Sequence, residues 1–294
     1  MPQLDQPSSA VAASPSPTVH VRLLDNPIWN ALNTKHSALA VGDGLAKRYP
    51  AEIGPLSGVV EQSAAAYEAL RTLTGPNGVA ALFLESPPEM REGWSLVRGG
   101  LMSQMIWSGG SGLRTAPLDG PATLRSLTRA DVPAMLELAE LTEPGPFGRR
   151  TSELGEFFGI FEAGRLMAMA GQRLHLPGFA EVSAVCTHPD ARGRGYARAL
   201  MSEVMAGILR RGETPFLHVF ADNYPAIRVY EGLGFIRRRS LHLAVLKSIV
   251  RLVSGRSMAG SAVGRGGSAV SLPRHLLHGR SCRAWRTRGN ASCR

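Results

Sequence analysis

Val185-Cys186-Thr187-His188-Pro189-Asp190-Ala191-Arg192-Gly193-Arg194-Gly195-Tyr196-Ala197 reads as the end of a strand, a glycine-containing turn and the start of a helix. The helix is the clearest in the chain. Ala197, Leu200, Met201, Val204, Met205, Ile208 and Leu209 recur at steps of three and one, which makes a single apolar stripe, and Gly212 stops it. A strand-turn-helix of this kind leaves the first helical N–H groups pointing outward with the positive end of the helix dipole behind them, so it is an anion site. Gly193 and Gly195 let the backbone approach a ligand, and Arg192 and Arg194 add positive charge. The natural ligand is a pyrophosphate. The spacing is not GxGxxG, and no Walker-type GxxxxGK(S/T) occurs, so dinucleotide-fold and P-loop readings lose.

Arg192-x-x-Gly195-x-Ala197 resembles the Arg/Gln-x-x-Gly-x-Gly/Ala turn with which the GNAT N-acyltransferase superfamily cradles the pyrophosphate of coenzyme A. About thirty residues on, Asn223, Ala226, Tyr230 and Gly232-Leu233-Gly234-Phe235 match the N-x-x-A-x-x-x-Y-x-x-x-GF pattern that follows the fifth strand in that superfamily. Order, spacing and the intervening elements agree, and the resemblance covers residues 121–246. It implies a mixed α/β fold, with a central, mostly antiparallel sheet flanked by helices. It also implies a GNAT-type N-acetyltransferase that uses acetyl-CoA as acyl donor, needs no metal and acts on the amine of a small molecule or peptide.

Carried over position by position, the resemblance assigns the pantetheine arm to backbone groups of Val185, Cys186 and Thr187. The pyrophosphate falls to Arg192, Gly193, Arg194, Gly195, Tyr196 and Ala197, and a pantetheine amide to Asn223, which is also placed to cap a short helix. Cys186 is read as a small buried apolar residue rather than a nucleophile. An alkylamine, with a pKa near 10.4, is mostly protonated at neutral pH and needs a base or desolvation before it attacks a thioester. Glu181 stands where some relatives supply that carboxylate, the bland alternative being a solvated glutamate at a strand end. His188 is a further candidate. Tyr230 stands where the family places an acid for the departing thiolate, the bland alternative being an aromatic that packs on the cofactor. Glu140 and Glu143, at the end of the preceding helix, would suit a cationic amine unless they are only solvated.

Outward from this segment the chain divides into four zones. Residues 1–20 are a Pro/Ser/Ala leader without Lys or Arg, unlike a signal or transit peptide, and are expected to be disordered in a cytoplasmic protein. Residues 21–120 have helical content over 28–49 and 56–73 and a buried strand at 79–84, continue in an apolar manner through 94–107, and lack both GNAT patterns. They form a smaller α/β half, read as a degenerate GNAT-like one. In 121–246, strands are expected over 122–127, 157–161, 166–174, 181–187 and 215–220, and one or two over 235–246. Thr128 and Asp131 have capping-box spacing before a helix through Ala139.

The chain of 294 residues carries 33 Lys and Arg against 23 Asp and Glu, a formal charge of +10. That excess suggests a nucleic acid or membrane until its location is read. Residues 1–246 are net neutral, whereas 247–294 hold all ten surplus basic residues and no acid. This last zone is a Ser/Gly/Arg-rich stretch expected to be disordered. No 18-residue apolar run exists, which argues against a membrane helix. The rival readings are a CoA-binding GNAT module without turnover, a nucleic-acid binder using the Arg-rich tail, and a zinc site at His275, His278, Cys282 and Cys293. The tail has only Trp285 to stack on a base and no regular pattern to hold a metal, which weighs against the last two.

Overall fold

A computed structural model describes residues 21–110, 118 and 120–249. The leader 1–20 and the tail from 250 onward, with its proposed zinc ligands, lie outside the described residues. The elements run α1 (Pro27–Asn33), β1 (Ala46–Arg48), β2 (Ser57–Val59), α2 (Ala64–Thr74), β3 (Val79–Leu84), β4 (Trp94–Trp107), β5 (Thr123–Ser126), α3 (Val132–Thr142), β6 (Phe157–Glu162), β7 (Arg165–Leu176), β8 (Phe179–Thr187), α4 (Tyr196–Arg210), β9 (Thr214–Phe220), α5 (Tyr224–Glu231) and β10 (Phe235–Ser248). The mixed α/β class and the strands expected after residue 121 are present.

Eight strands form one sheet in the order β3-β10-β4-β9-β8-β7-β6-β5, with β1 and β2 paired separately. Every neighbouring pair is antiparallel except β8 with β9. The sheet runs straight across residue 120. β4, from the first half, lies between β9 and β10 of the second, pairing Met102–Ile106 with Phe216–Phe220 on one side and thirteen of its residues with β10 on the other. β10 continues through Lys247 and Ser248, two residues beyond the expected end of the folded region.

The helical content expected in the first half is present but short. Within 28–49, α1 ends at Asn33, and Gly42 and Gly44 at φ +95° and +56° turn the chain into β1. Within 56–73, β2 precedes α2. Gly58 crosses the α1 backbone so closely that a Cβ there would lie 2.6 Å from Trp29 Cα, a contact only glycine permits.

The core lies on both faces of the sheet. α4 buries Leu200, Met201, Val204, Met205 and Ile208 against Ala168, Ala170 and Val182. Alternation along β7 and β8 sends Met169 and Cys186 to the other face, where α3 covers them with Met135, Leu138 and Ala139. Leu32 of α1 and Tyr49 pack with Leu174, Phe179 and Phe216, so the first half closes the end of the sheet at which β8 and β9 begin. Asp131 accepts the Thr128 N–H at 2.8 Å, as the capping-box spacing leads one to expect.

Candidate active site

The parallel pairing of β8 and β9 is short. Phe179 faces Thr214, Ala180 faces Pro215 and Glu181 faces Phe216, after which no further pairs form among the described residues. The strands therefore part beyond Glu181, and the gap widens toward the 188–195 turn. On the β7 side the register jumps between Gly171/Ser183 and Met169/Cys186, with Ala184 at φ +52°. A non-glycine residue held in the left-handed region costs on the order of 1–3 kcal/mol and marks a bulge that re-aims the backbone. The His188 N–H donates to the Met167 carbonyl at 2.7 Å. By alternation the backbone groups of Cys186 also face β7, whereas those of Val185 and Thr187 face the gap. The Cys186 thiol lies in the α3 cluster, where burial pushes its pKa up to about 11, and it stays protonated.

At the wide end, Gly193 and Gly195 take φ +79° and +76°, and a Cβ at either would meet no atom within 4 Å. Gly195 starts α4, and among the described residues no side chain caps that terminus, so the first N–H groups and the dipole remain available to an anion. Arg192 is exposed on the turn. Arg194 donates to both Glu162 oxygens at 2.8 and 3.1 Å and to the Asp190 carbonyl at 3.1 Å, while the Tyr196 hydroxyl bonds the same Glu162. Tyr196 and Arg194 pull the Glu162 pKa down, so it is ionised and ties the turn to the β6–β7 hairpin. His188 is buried away from the gap, 2.9 Å from Arg165 Nη2, and accepts from the Asp190 N–H at 3.2 Å. Asn223 accepts from the Ala226 N–H at 3.3 Å, capping α5 as its position suggests.

Tyr230, on α5, is half-buried and packs its ring 6.4 Å from that of Phe235. Burial raises its pKa to about 12, and among the described residues its hydroxyl has no hydrogen-bond partner.

Glu181 is not the solvated strand-end glutamate of its bland reading. It is fully buried, accepts from Arg173 Nε at 2.8 Å and Nη2 at 2.7 Å, and lies 2.7 Å from His218 Nδ1. Burial pushes its pKa up, but the Arg173 guanidinium and the His218 imidazole together push it further down, to about 2. With both oxygens engaged and so low a proton affinity, Glu181 is a permanent anion at the vertex of the gap.

Sequence reasoning missed the partners of Glu181. Arg173 sits on β7 with its guanidinium 5.4 Å above the Phe83 ring. His218 sits on β9, and its Nε2 is 3.0 Å from Gln104 Nε2 of β4. Gln104 Nε2 also donates to the Leu24 carbonyl, and Gln104 Oε1 accepts from Arg238. A histidine alternating with Phe216 and Phe220 in an otherwise apolar strand was the available signal. A small cavity of about 10 Å³ lies beside this cluster, between the 144–147 loop, Arg173 and the Ser183-Ala184 bulge. Glu140 and Glu143 are exposed, as helix-end acids usually are.

A family model described as FR47-like protein matches residues 157–243, the span from β6 into β10. N-alpha-acetyltransferase RimI of Mycobacterium tuberculosis is 34% identical over 128 residues, which cover 40% of this chain and 80% of that protein. This chain belongs to the GNAT acetyltransferase superfamily. A crystal structure of a protein assigned to the same family, from Novosphingobium aromaticivorans, is 38% identical with a TM-score of 0.70, covering 77% of this chain and 99% of that one. The likeness includes the first half of the sheet and is not confined to the GNAT motifs. Mycothiol acetyltransferase of Mycobacterium avium is 38% identical over 82 residues, and the match spans about a quarter of that protein's length, 26%. GNAT acetyltransferases use acetyl-CoA as acyl donor. Among the described residues no cluster of three or more His, Cys, Asp or Glu side chains could hold a metal, and no helix is long and apolar enough to cross a membrane.

Proposed function

We propose that this protein transfers the acetyl group of acetyl-CoA to a primary amine by direct attack, with coenzyme A lying in the gap between β8 and β9. The observation that carries this reading is the parting of the two strands after Glu181, with a glycine-started, uncapped helix at the wide end. Val185 and Thr187 would pair with the pantetheine arm as a further strand would. The N–H groups of Gly193, Gly195 and the first turn of α4, with Arg192 and Arg194, would hold the pyrophosphate.

The amine nitrogen bonds to the thioester carbon, and a backbone N–H near the β8 bulge stabilises the oxyanion. The C–S bond then breaks. One proton leaves nitrogen and one reaches sulfur, so the products are an amide and free thiol. Tyr230 stays protonated at neutral pH and stands as hydrogen-bond donor to the departing sulfur. Because Glu181 cannot take the nitrogen's proton, the amine enters as its neutral fraction and loses that proton to water. Glu181 acts through Arg173 and His218 by fixing the vertex of the gap.

The acceptor is a small-molecule or peptide amine, and the buried, unpaired Cys186 fits a cytoplasmic protein. The test is thiol release from acetyl-CoA by the full chain across a panel of amines, with Arg192→Ala beside it. Amine-dependent release that Arg192→Ala weakens through KM for acetyl-CoA supports the reading. Tight CoA binding with no release for any amine identifies a binding module instead, and RNA binding without CoA binding returns the function to the tail.

A further inference from the structure

The Arg173–Glu181 pair leaves one part of the guanidinium unused. Nε and Nη2 bond the two carboxylate oxygens, and among the described residues Nη1 has no hydrogen-bond partner. Arg173 lines the small cavity under the 144–147 loop, next to the bulge at Ser183 and Ala184 where β8 leaves β9. The volume, about 10 Å³, is about the space that one water-sized oxygen centre occupies. Its other polar walls are the Ser183 hydroxyl, which can also donate to an oxygen, and the Gly145 backbone. Pro144 and Pro146 have no N–H, Phe147 and Phe157 are apolar, and the Thr151 hydroxyl is already committed, donating to the Ile53 carbonyl and accepting from the Gly148 N–H, each at 2.7 Å.

Resting on the acetyl-transfer reading, we infer that Arg173 Nη1 recognises the acceptor substrate by donating to a carbonyl or carboxylate oxygen carried beside the reacting amine, and that this oxygen fills the cavity. A guanidinium only donates, so Arg173 turns away an ammonium and meets an oxygen. Glu181 cancels the charge of Arg173, so a neutral amide carbonyl and a carboxylate are both admitted. The substrate class is therefore amines with an α-carbonyl group, namely amino acids, amino-acid amides and peptide N-termini. Simple alkylamines fall outside it.

The test measures kcat/KM of the full chain at saturating acetyl-CoA for alanine, alaninamide, an Ala-Ala dipeptide and propylamine, each corrected for its neutral fraction. CoA affinity is measured in the same samples. A hydrogen bond to a charged donor predicts a preference of about tenfold or more for the oxygen-bearing amines. Alanine against alaninamide and dipeptide tells a carboxylate from a carbonyl. Arg173→Met alone strands a buried carboxylate, so the second variant is Arg173→Met with Glu181→Gln. In that protein, read at an acetyl-CoA concentration that saturates it, the preference collapses to within about threefold. Transfer by the wild type without preference, or preference that survives in the double variant, overturns this assignment alone. Absence of transfer to every amine overturns the acetyl-transfer reading and this assignment with it.

Discussion

Replacing Glu181 with Gln probes the vertex of the gap, and its cost follows from the structure. The carboxyl is fully buried, and its pKa is about 2 in the folded protein against an ordinary 4.5. A depression of about 2.5 units corresponds to roughly 3 kcal/mol in favour of the ionised, folded state. Because the group is more acidic folded than unfolded, this stabilisation is complete above about pH 4.5 and disappears as the pH falls through about 2. At pH 7, Glu181→Gln also leaves the Arg173 side chain, 12% exposed, without its counter-charge, a loss of about 3–5 kcal/mol for a buried pair broken on one side. The assay is urea unfolding at pH 7 and again near pH 3, with unchanged m-values. We expect a loss of about 3 kcal/mol at pH 7 and a smaller one at pH 3, with most of it restored when Arg173→Met is added. A loss below about 1 kcal/mol at pH 7, or one that does not depend on pH, would refute the reasoning.

Three further outcomes are expected. Tyr230→Phe removes the donor to the leaving sulfur and lowers kcat by about 10²-fold with CoA affinity unchanged, read by steady-state kinetics and calorimetry. Gly195→Trp forces a side chain into φ +76° at the start of α4, where it occupies the anion's place; CoA binding weakens about 100-fold or more while unfolding shifts by only about 1–2 kcal/mol. Deletion of residues 1–120 removes β3 and β4, so the remaining chain exposes one edge of β9 and both edges of β10 and is expected to be insoluble, measured as the soluble fraction on expression.

The turn at 188–195 and helix α4 were legible because their signals are local: two glycines, an apolar stripe and a stop within some twenty-five residues. The cap at Asn223 and the α3 entry at Thr128 were legible for the same reason. The burial of Glu181 was not legible, and its solvated reading fails. Its environment comes from Arg173, eight residues away, from His218, thirty-seven away, and from Gln104 on a strand of the other half. Such partners leave no periodic trace in a sequence. The first half was the least legible. Its apolar residues, such as Leu32 and Tyr49, are buried from short irregular segments, so helical content was legible but not where Gly42, Gly44 and Gly58 break it and keep the chain turning and close-packed. The membership of β4 in the second half's sheet follows from long-range pairing alone. The charge of +10 told nothing of the site, since the site lies wholly within the net-neutral portion of the chain.

The central claim is that coenzyme A occupies the gap between β8 and β9, and amide hydrogen exchange with and without CoA tests it most directly. The account predicts slowed exchange at Val185 and Thr187 and across Gly193–Ala199, with little change in β5, β6 or α3. CoA binding that leaves these amides unprotected, or that protects a different region, would contradict it.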